Sequence, residues 1–220
     1  METANEFVDH SRKDVAVQGF LHQPRDPPHH TLVLTHGAGS NCQSPLLVAL
    51  AEVFCASGCM VLRCDLPFRQ ARPHGPPPRG NAERDQAGLR AAIEAIGRVA
   101  AGDIFLGGHS YGGRQASMLA SAEPDLAQAL LLLSYPLHPP QRSDVMRTAH
   151  LPDLRTPAFF VHGTADGFGS IQEMEEAIRL IPAHAELLTI PGAGHELIPR
   201  RSRGEFAARI AKAFLRFVDL

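Results

Sequence analysis

Apolar positions fall along this chain in two alternating rhythms. Five short runs, "TLVLTHG", "CMVLRCD", "DIFLGGHS", "ALLLLSYP" and "PAFFVHG", are apolar almost without interruption, and each closes in polar or turn residues. Runs of that length and continuity predict strands buried on both faces. "DVAVQGFLHQ" instead alternates apolar with polar residues, as a half-buried edge strand does, and "ELLTIPGAGH" is a final strand candidate. Between these lie stretches with helical spacing: "SPLLVALAEVFCASG", "NAERDQAGLRAAIEAIGRVA", "YGGRQASMLASA", "SIQEMEEAIRLI" and "GEFAARIAKAFLRFVDL". In the first of them Ser44 can cap the helix and Pro45 can occupy its first position. Strand and helix in alternation imply an α/β fold, a mostly parallel twisted sheet of about seven strands with helices on both faces.

Composition narrows the function classes. With 220 residues, 44% of them apolar, the chain suits one globular domain over residues 1–220. Its 21 Lys and Arg against 23 Asp and Glu give no electrostatic reason to expect nucleic acid or an anionic membrane as partner. The opening "METANEFVDHSRKD" is charged and lacks the apolar core of a signal peptide, and no run reaches the roughly 18 apolar residues of a membrane span, so the expectation is a cytoplasmic protein. Cys42, Cys55, Cys59 and Cys64 cluster in sequence but show no ligand spacing, so they read as buried reduced thiols and no metal site is expected. One segment is compositionally biased: "DLPFRQARPHGPPPRGN", residues 65–81. It follows a strand, at the end of the sheet where open α/β sheets place their ligands. It is therefore expected to cover the site, with Arg69, Arg72 and Arg79 as possible contacts for an anionic group or, in the blander reading, as a solvated loop.

The chemistry gathers at strand ends. In "GHSYG", residues 108–112, Ser110 stands between a strand and a helix with glycine two positions away on each side, the G-x-S-x-G elbow of a nucleophilic serine. Glycine there lets strand and helix approach closely while the serine takes a strained backbone, and Gly107 and Gly113 extend the allowance. The first amides of the following helix point to where an oxyanion would form. "LTHGAGSN", residues 34–41, offers a second set of amides, so the Ala38 and Tyr111 N–H groups are the expected oxyanion donors. "FFVHGTADGFG" presents Asp166 in a glycine-flanked turn and "IPGAGHELI" carries His195 after the last strand, so the chain order is Ser110, Asp166, His195. Of the 12 histidines, His36, His109 and His162 also sit at strand ends and are read as structural or supporting, while His29 and His30 fall at the opposite end of the sheet. Asp144 is the rival acid, and Glu196 is read as solvated.

These residues resemble the α/β-hydrolase superfamily over nearly the whole chain. Within it, "SYPLHPP" (134–140), "AHLPDLRTPAFFVHGTADGFG" (149–169) and "SYGGRQA" (110–116) resemble a narrower group. That is the small hydrolase-like family that includes a subunit of the nonspecific-lethal histone acetyltransferase complex, a testis-expressed relative and many bacterial members. The usual proline after the acid is Gly167 here. The implied function is a serine hydrolase using Ser110, His195 and Asp166 on a small ester, thioester or amide, without cofactor or metal. The alternative is a hydrolase-like binding or scaffolding module that keeps these residues without turnover. Too few residues separate "LLLLSYP" from "PAFFVHG" for a cap domain, so an open site is expected.

Overall fold

The computed structural model describes residues 4–100, 102–139, 142–197 and 203–219. Eight strands form one sheet: β1 (Ala4–Asp9), β2 (Val17–His22), β3 (His30–Thr35), β4 (Cys59–Cys64), β5 (Asp103–His109), β6 (Ala129–Leu133), β7 (Ala158–Gly163) and β8 (Ala185–Ile190). Their order is β1-β2-β4-β3-β5-β6-β7-β8. β1 and β2 run antiparallel to their neighbours and the remaining pairs are parallel. Helices α1 (Pro45–Ala56) and α6 (Arg203–Val218) cover one face, while α3 (Ala82–Gly97), α4 (Tyr111–Ala122) and α5 (Ile171–Ile178) cover the other.

The uninterrupted apolar runs have a direct explanation in this layering. Side chains alternate faces along a strand, so a strand covered on both sides needs apolar residues at every position. In β6, Leu131 and Leu133 join the α1/α6 layer while Leu130 and Leu132 join the other; in β7, Phe159 and Val161 divide from Ala158 and Phe160 in the same way. Helix starts follow their caps. The Ser44 side chain accepts from the Leu47 amide with Pro45 at the first helical position, and Ser170 and Glu173 form a reciprocal capping box at α5.

The sheet has one strand more than the sequence pattern implies. β2 was expected at the edge, but β1 pairs along its whole length, from Ala4↔His22 to Asp9↔Val17, and takes that place. β1 is mostly exposed, with Phe7 its apolar contact to the core, so it carries almost none of the burial signal by which the other strands are recognised. Ion pairs from Asp9 to Arg98 and from Arg12 to Glu94 fasten this end to α3. A second difference concerns residues 65–81, which begin with a short helix, α2 (Pro67–Ala71), rather than a continuous loop. The connection from Leu133 to Ala158 carries only a 3₁₀ turn at Leu151–Asp153 among its described residues, so no separate cap domain stands over the sheet. No helix among the described residues is long and apolar enough to cross a membrane.

Candidate active site

Ser110 occupies the sharp turn between β5 and α4, with φ 51° and ψ −114°. A serine in that region costs on the order of 1–3 kcal/mol and persists only where its surroundings over-determine it. Its N–H is held by the Leu133 carbonyl at 2.8 Å, and its carbonyl accepts from the Arg114 amide at 3.0 Å. The turn also needs bare backbone around it. A Cβ on Gly112 would lie 2.5 Å from the His36 carbonyl oxygen, and one on Gly108 would lie 2.7 Å from the Gly113 nitrogen. Gly112→Ala is therefore expected to destabilise the fold by about 1–3 kcal/mol through overpacking. Gly167, by contrast, has open space where a Cβ would project and no positive φ, so Gly167→Ala should stabilise by about 0.4–1 kcal/mol. Chemical denaturation of the two variants checks both signs.

Asp166 and His195 come from the ends of β7 and β8. Their loops are bonded to each other: the Ala165 amide donates to the Ala193 carbonyl at 2.9 Å, and the Gly192 amide to Thr164 Oγ1 at 2.8 Å. This docking brings His195 Nδ1 to 2.8 and 3.0 Å from the two Asp166 oxygens, and His195 Nε2 to 2.8 Å from Ser110 Oγ. Burial works to raise the Asp166 carboxyl, but the bonds from His195 and from the Phe168 amide outweigh it and hold the group below its ordinary range. An ionised carboxylate only accepts, so His195 carries its proton on Nδ1 and presents the Nε2 lone pair to the serine hydroxyl. That arrangement can take a proton from Ser110 and return it.

Neighbouring rings fix the imidazole. Phe168 stacks on it at 4.0 Å between centroids, and His109 donates from Nε2 to the His195 carbonyl at 2.9 Å. Burial lowers the His109 pKa, keeping that ring neutral. His162 is also buried and donates to the Gly169 carbonyl at 2.9 Å, holding the far side of the Asp166 turn. The supporting role expected for both histidines thus has specific partners. Asp144, the rival acid, is exposed and paired with Arg142. Glu196 is exposed at the rim of the site.

The loop after β3 is aimed by two side chains distant in sequence. His36 accepts the Leu66 amide on Nε2 at 3.1 Å, so its Nδ1 donates to the Gly37 carbonyl, 2.8 Å away; the Ser40 amide donates to the same oxygen at 3.1 Å. Peptide planarity then turns the Ala38 N–H the opposite way. Gly37 itself lies against Ser110, whose Cβ would be 3.4 Å from a Cβ added there. Arg69 is buried beneath the loop and donates to the carbonyls of Ser40, Ala38, Arg72 and Gly75. It is therefore a scaffold for the Ala38 loop and not the substrate contact considered from its sequence neighbours. No residue of 65–81 is among those lining the cavity, so that segment supports the site from behind instead of covering it. On the other side, the Tyr111 hydroxyl donates at 2.7 Å to Asp85, which is fully buried and also accepts from the Phe68 amide and Asn81.

Ala38, Ser110, Tyr111 and His195 line one open cavity of about 580 Å³, walled further by Phe168, Pro136, Arg114 and Arg147. Tyr111 is the first residue of α4, where backbone N–H groups have no intrahelical acceptor. The four cysteines are buried free thiols, and burial pushes Cys42 up to about 12 and Cys59 up to about 11.

Comparison with known proteins agrees with this architecture. A family model described as "Alpha/beta hydrolase domain" matches residues 28–219. The chain is an α/β hydrolase. Among solved structures, this α/β hydrolase is similar to a dienelactone hydrolase from Anabaena variabilis, with 22% identity, TM-score 0.75, and 97% of this chain and 98% of that one covered. It is also similar to a serine hydrolase without lid from Xanthomonas campestris, with 16% identity, TM-score 0.76 and coverage of 97% and 94%. At these identities the likeness shows the fold. A curated relative, the polyketide synthase ThaQ of Burkholderia thailandensis, is 38% identical over 103 residues, 44% of this chain, and the matched part spans 5% of that protein.

Proposed function

We propose that this α/β hydrolase is a one-domain serine esterase that cleaves small acyl esters, with Ser110 as nucleophile, His195 as general base and acid, and Asp166 as the group that orients the imidazole. The observation that carries the reading is the unbroken hydrogen-bond line from Asp166 through His195 to Ser110 Oγ, with the serine on a strained elbow. In the first half-reaction Ser110 Oγ attacks the carbonyl carbon as His195 Nε2 takes its proton. The oxyanion is held by the Ala38 and Tyr111 amides, and the alcohol leaves with the proton from His195. Water then enters, gives its proton to Nε2 and attacks the acyl carbon. The acid departs as Ser110 regains its hydrogen. The narrower kinship with the nonspecific-lethal and testis-expressed relatives belongs to this proposal, on segments 110–116, 134–140 and 149–169.

Because the cavity is open and no cap encloses a long chain, nitrophenyl acetate and butyrate should be hydrolysed at least about tenfold faster, by kcat/KM, than the laurate ester, with no activation at a lipid interface. In the same reactions, acid-quenched enzyme should carry one acyl group on the Ser110 peptide by mass spectrometry. Peak activity on long chains would contradict the open-site account. An acyl group on another residue would contradict the assignment of Ser110.

A further inference from the structure

The cavity in front of Ser110 carries two arginines that form no ion pair with a carboxylate among the described residues. Arg114 lies four residues after Ser110, a rise of about 6 Å, and side chains on a helix lean toward its N-terminus, here toward the elbow. Arg147 reaches the same cavity from the connection between β6 and β7. Tyr135 lies beside both: its hydroxyl donates to the Arg147 carbonyl at 2.8 Å, and the Arg114 charge acts on it. The arginine–carboxylate pairs among the described residues involve Arg12, Arg90, Arg98 and Arg142 instead. Arg147 has one side-chain bond, to the Pro136 carbonyl at 3.3 Å, and Arg114 Nε is buried with no acceptor among the described residues.

Leaving a buried cationic donor unpaired is costly, and a guanidinium fork matches a carboxylate in shape and charge. The charge is felt around it. Burial first, and Arg114 second, push the His150 ring down to about 4, and the same two causes lower Arg147. Glu196, the acidic side chain lining the cavity, is exposed at the rim, and Asp166 lies behind His195 and is engaged with it, so neither carboxylate pairs with the two arginines.

We propose that Arg114 and Arg147 form a carboxylate subsite, and that the preferred substrates are half-esters of short dicarboxylic acids. This rests on the esterase reading of Ser110, and it places the anion contacts away from Arg69, Arg72 and Arg79, which the sequence offered either as such contacts or as a solvated loop.

The test compares monoethyl glutarate with ethyl pentanoate, neutral and of similar length, by kcat/KM in a pH-stat, which avoids the spontaneous hydrolysis of activated half-esters. Wild type should prefer the acidic ester about tenfold or more, mainly through KM, and the preference should shrink as salt is raised. In Arg114→Gln and in Arg147→Gln the preference ratio should fall about fivefold or more, with Arg147→Lys keeping part of it. Calorimetric binding of glutarate to wild type and its loss in Arg147→Gln read the subsite even if neither ester turns over. Should the variants not fold, the wild-type preference and its salt dependence decide. Equal kcat/KM for the two esters with normal fluorophosphonate labelling of Ser110 would overturn the subsite and leave the esterase reading standing. Glutarate binding without labelling would do the reverse.

Discussion

His195→Ala is expected to lower kcat for nitrophenyl acetate by about 10⁴-fold or more while the protein stays folded. The serine hydroxyl is a weak nucleophile near neutral pH, and His195 Nε2 is the one base within hydrogen-bond reach of Ser110 Oγ among the described residues. Asp166→Asn should also cost about 10⁴-fold, because an amide can donate to Nδ1 and so favour the tautomer with its proton on Nε2, facing the serine. Asp144→Asn should leave the rate within about twofold, since Asp144 is exposed and engaged with Arg142, as is usual for a surface change away from any site. Steady-state kinetics on the three variants at matched folded concentration, checked by circular dichroism, tests the set. A large loss in Asp144→Asn with a small one in Asp166→Asn would reverse the assignment of the acid.

Arg69→Met should loosen the Ala38 loop. The substitution keeps an apolar stem beside Phe68 but removes the donors that now serve four backbone carbonyls. Removing a buried, charged donor of this kind is expected to cost about 2–4 kcal/mol in stability, some of it recovered where water reaches the freed carbonyls. If the Ala38 amide is the second oxyanion donor, kcat should fall by about 10²–10³-fold with little change in KM, the pattern of a group acting in the transition state. A drop in stability with kcat preserved would keep Arg69 as a scaffold and remove the Ala38 amide from the mechanism.

What could be read from the sequence, and what could not, divides along a physical line. Ser110, Asp166 and His195 stood out in the sequence because each lies in a local pattern, a strand followed by a glycine-rich turn, and the fold brings the carboxyl ends of β5, β7 and β8 to one edge. The central strands were legible for the same reason: burial on both faces writes itself into every position, as in Ala129 to Leu133. β1 left no such mark, because its stability comes from backbone pairing with β2 and ion pairs to α3 rather than from burial. Arg69 could not be placed, since its acceptors at Ser40 and Ala38 lie about thirty residues earlier in the chain. Arg114 and Arg147 read singly as ordinary helix and loop residues; only the folded connection after β6 puts them in one cavity. Phe168 was equally silent, because nothing local marks an aromatic as the ring that stacks on His195.

The central claim, that Ser110 is an activated nucleophile, is tested most directly by a fluorophosphonate probe on wild type and on Ser110→Ala at matched purity. Alanine keeps a small side chain on the tight elbow, although the positive φ of 51° will cost it some stability, so folding is verified by thermal melt. The account predicts stoichiometric labelling of wild type at Ser110, blocked by prior acylation with a slowly turned-over ester, and no labelling or esterase activity in Ser110→Ala. Equal labelling of the two proteins, or no labelling of folded wild type, would contradict it and favour a hydrolase-shaped binding module.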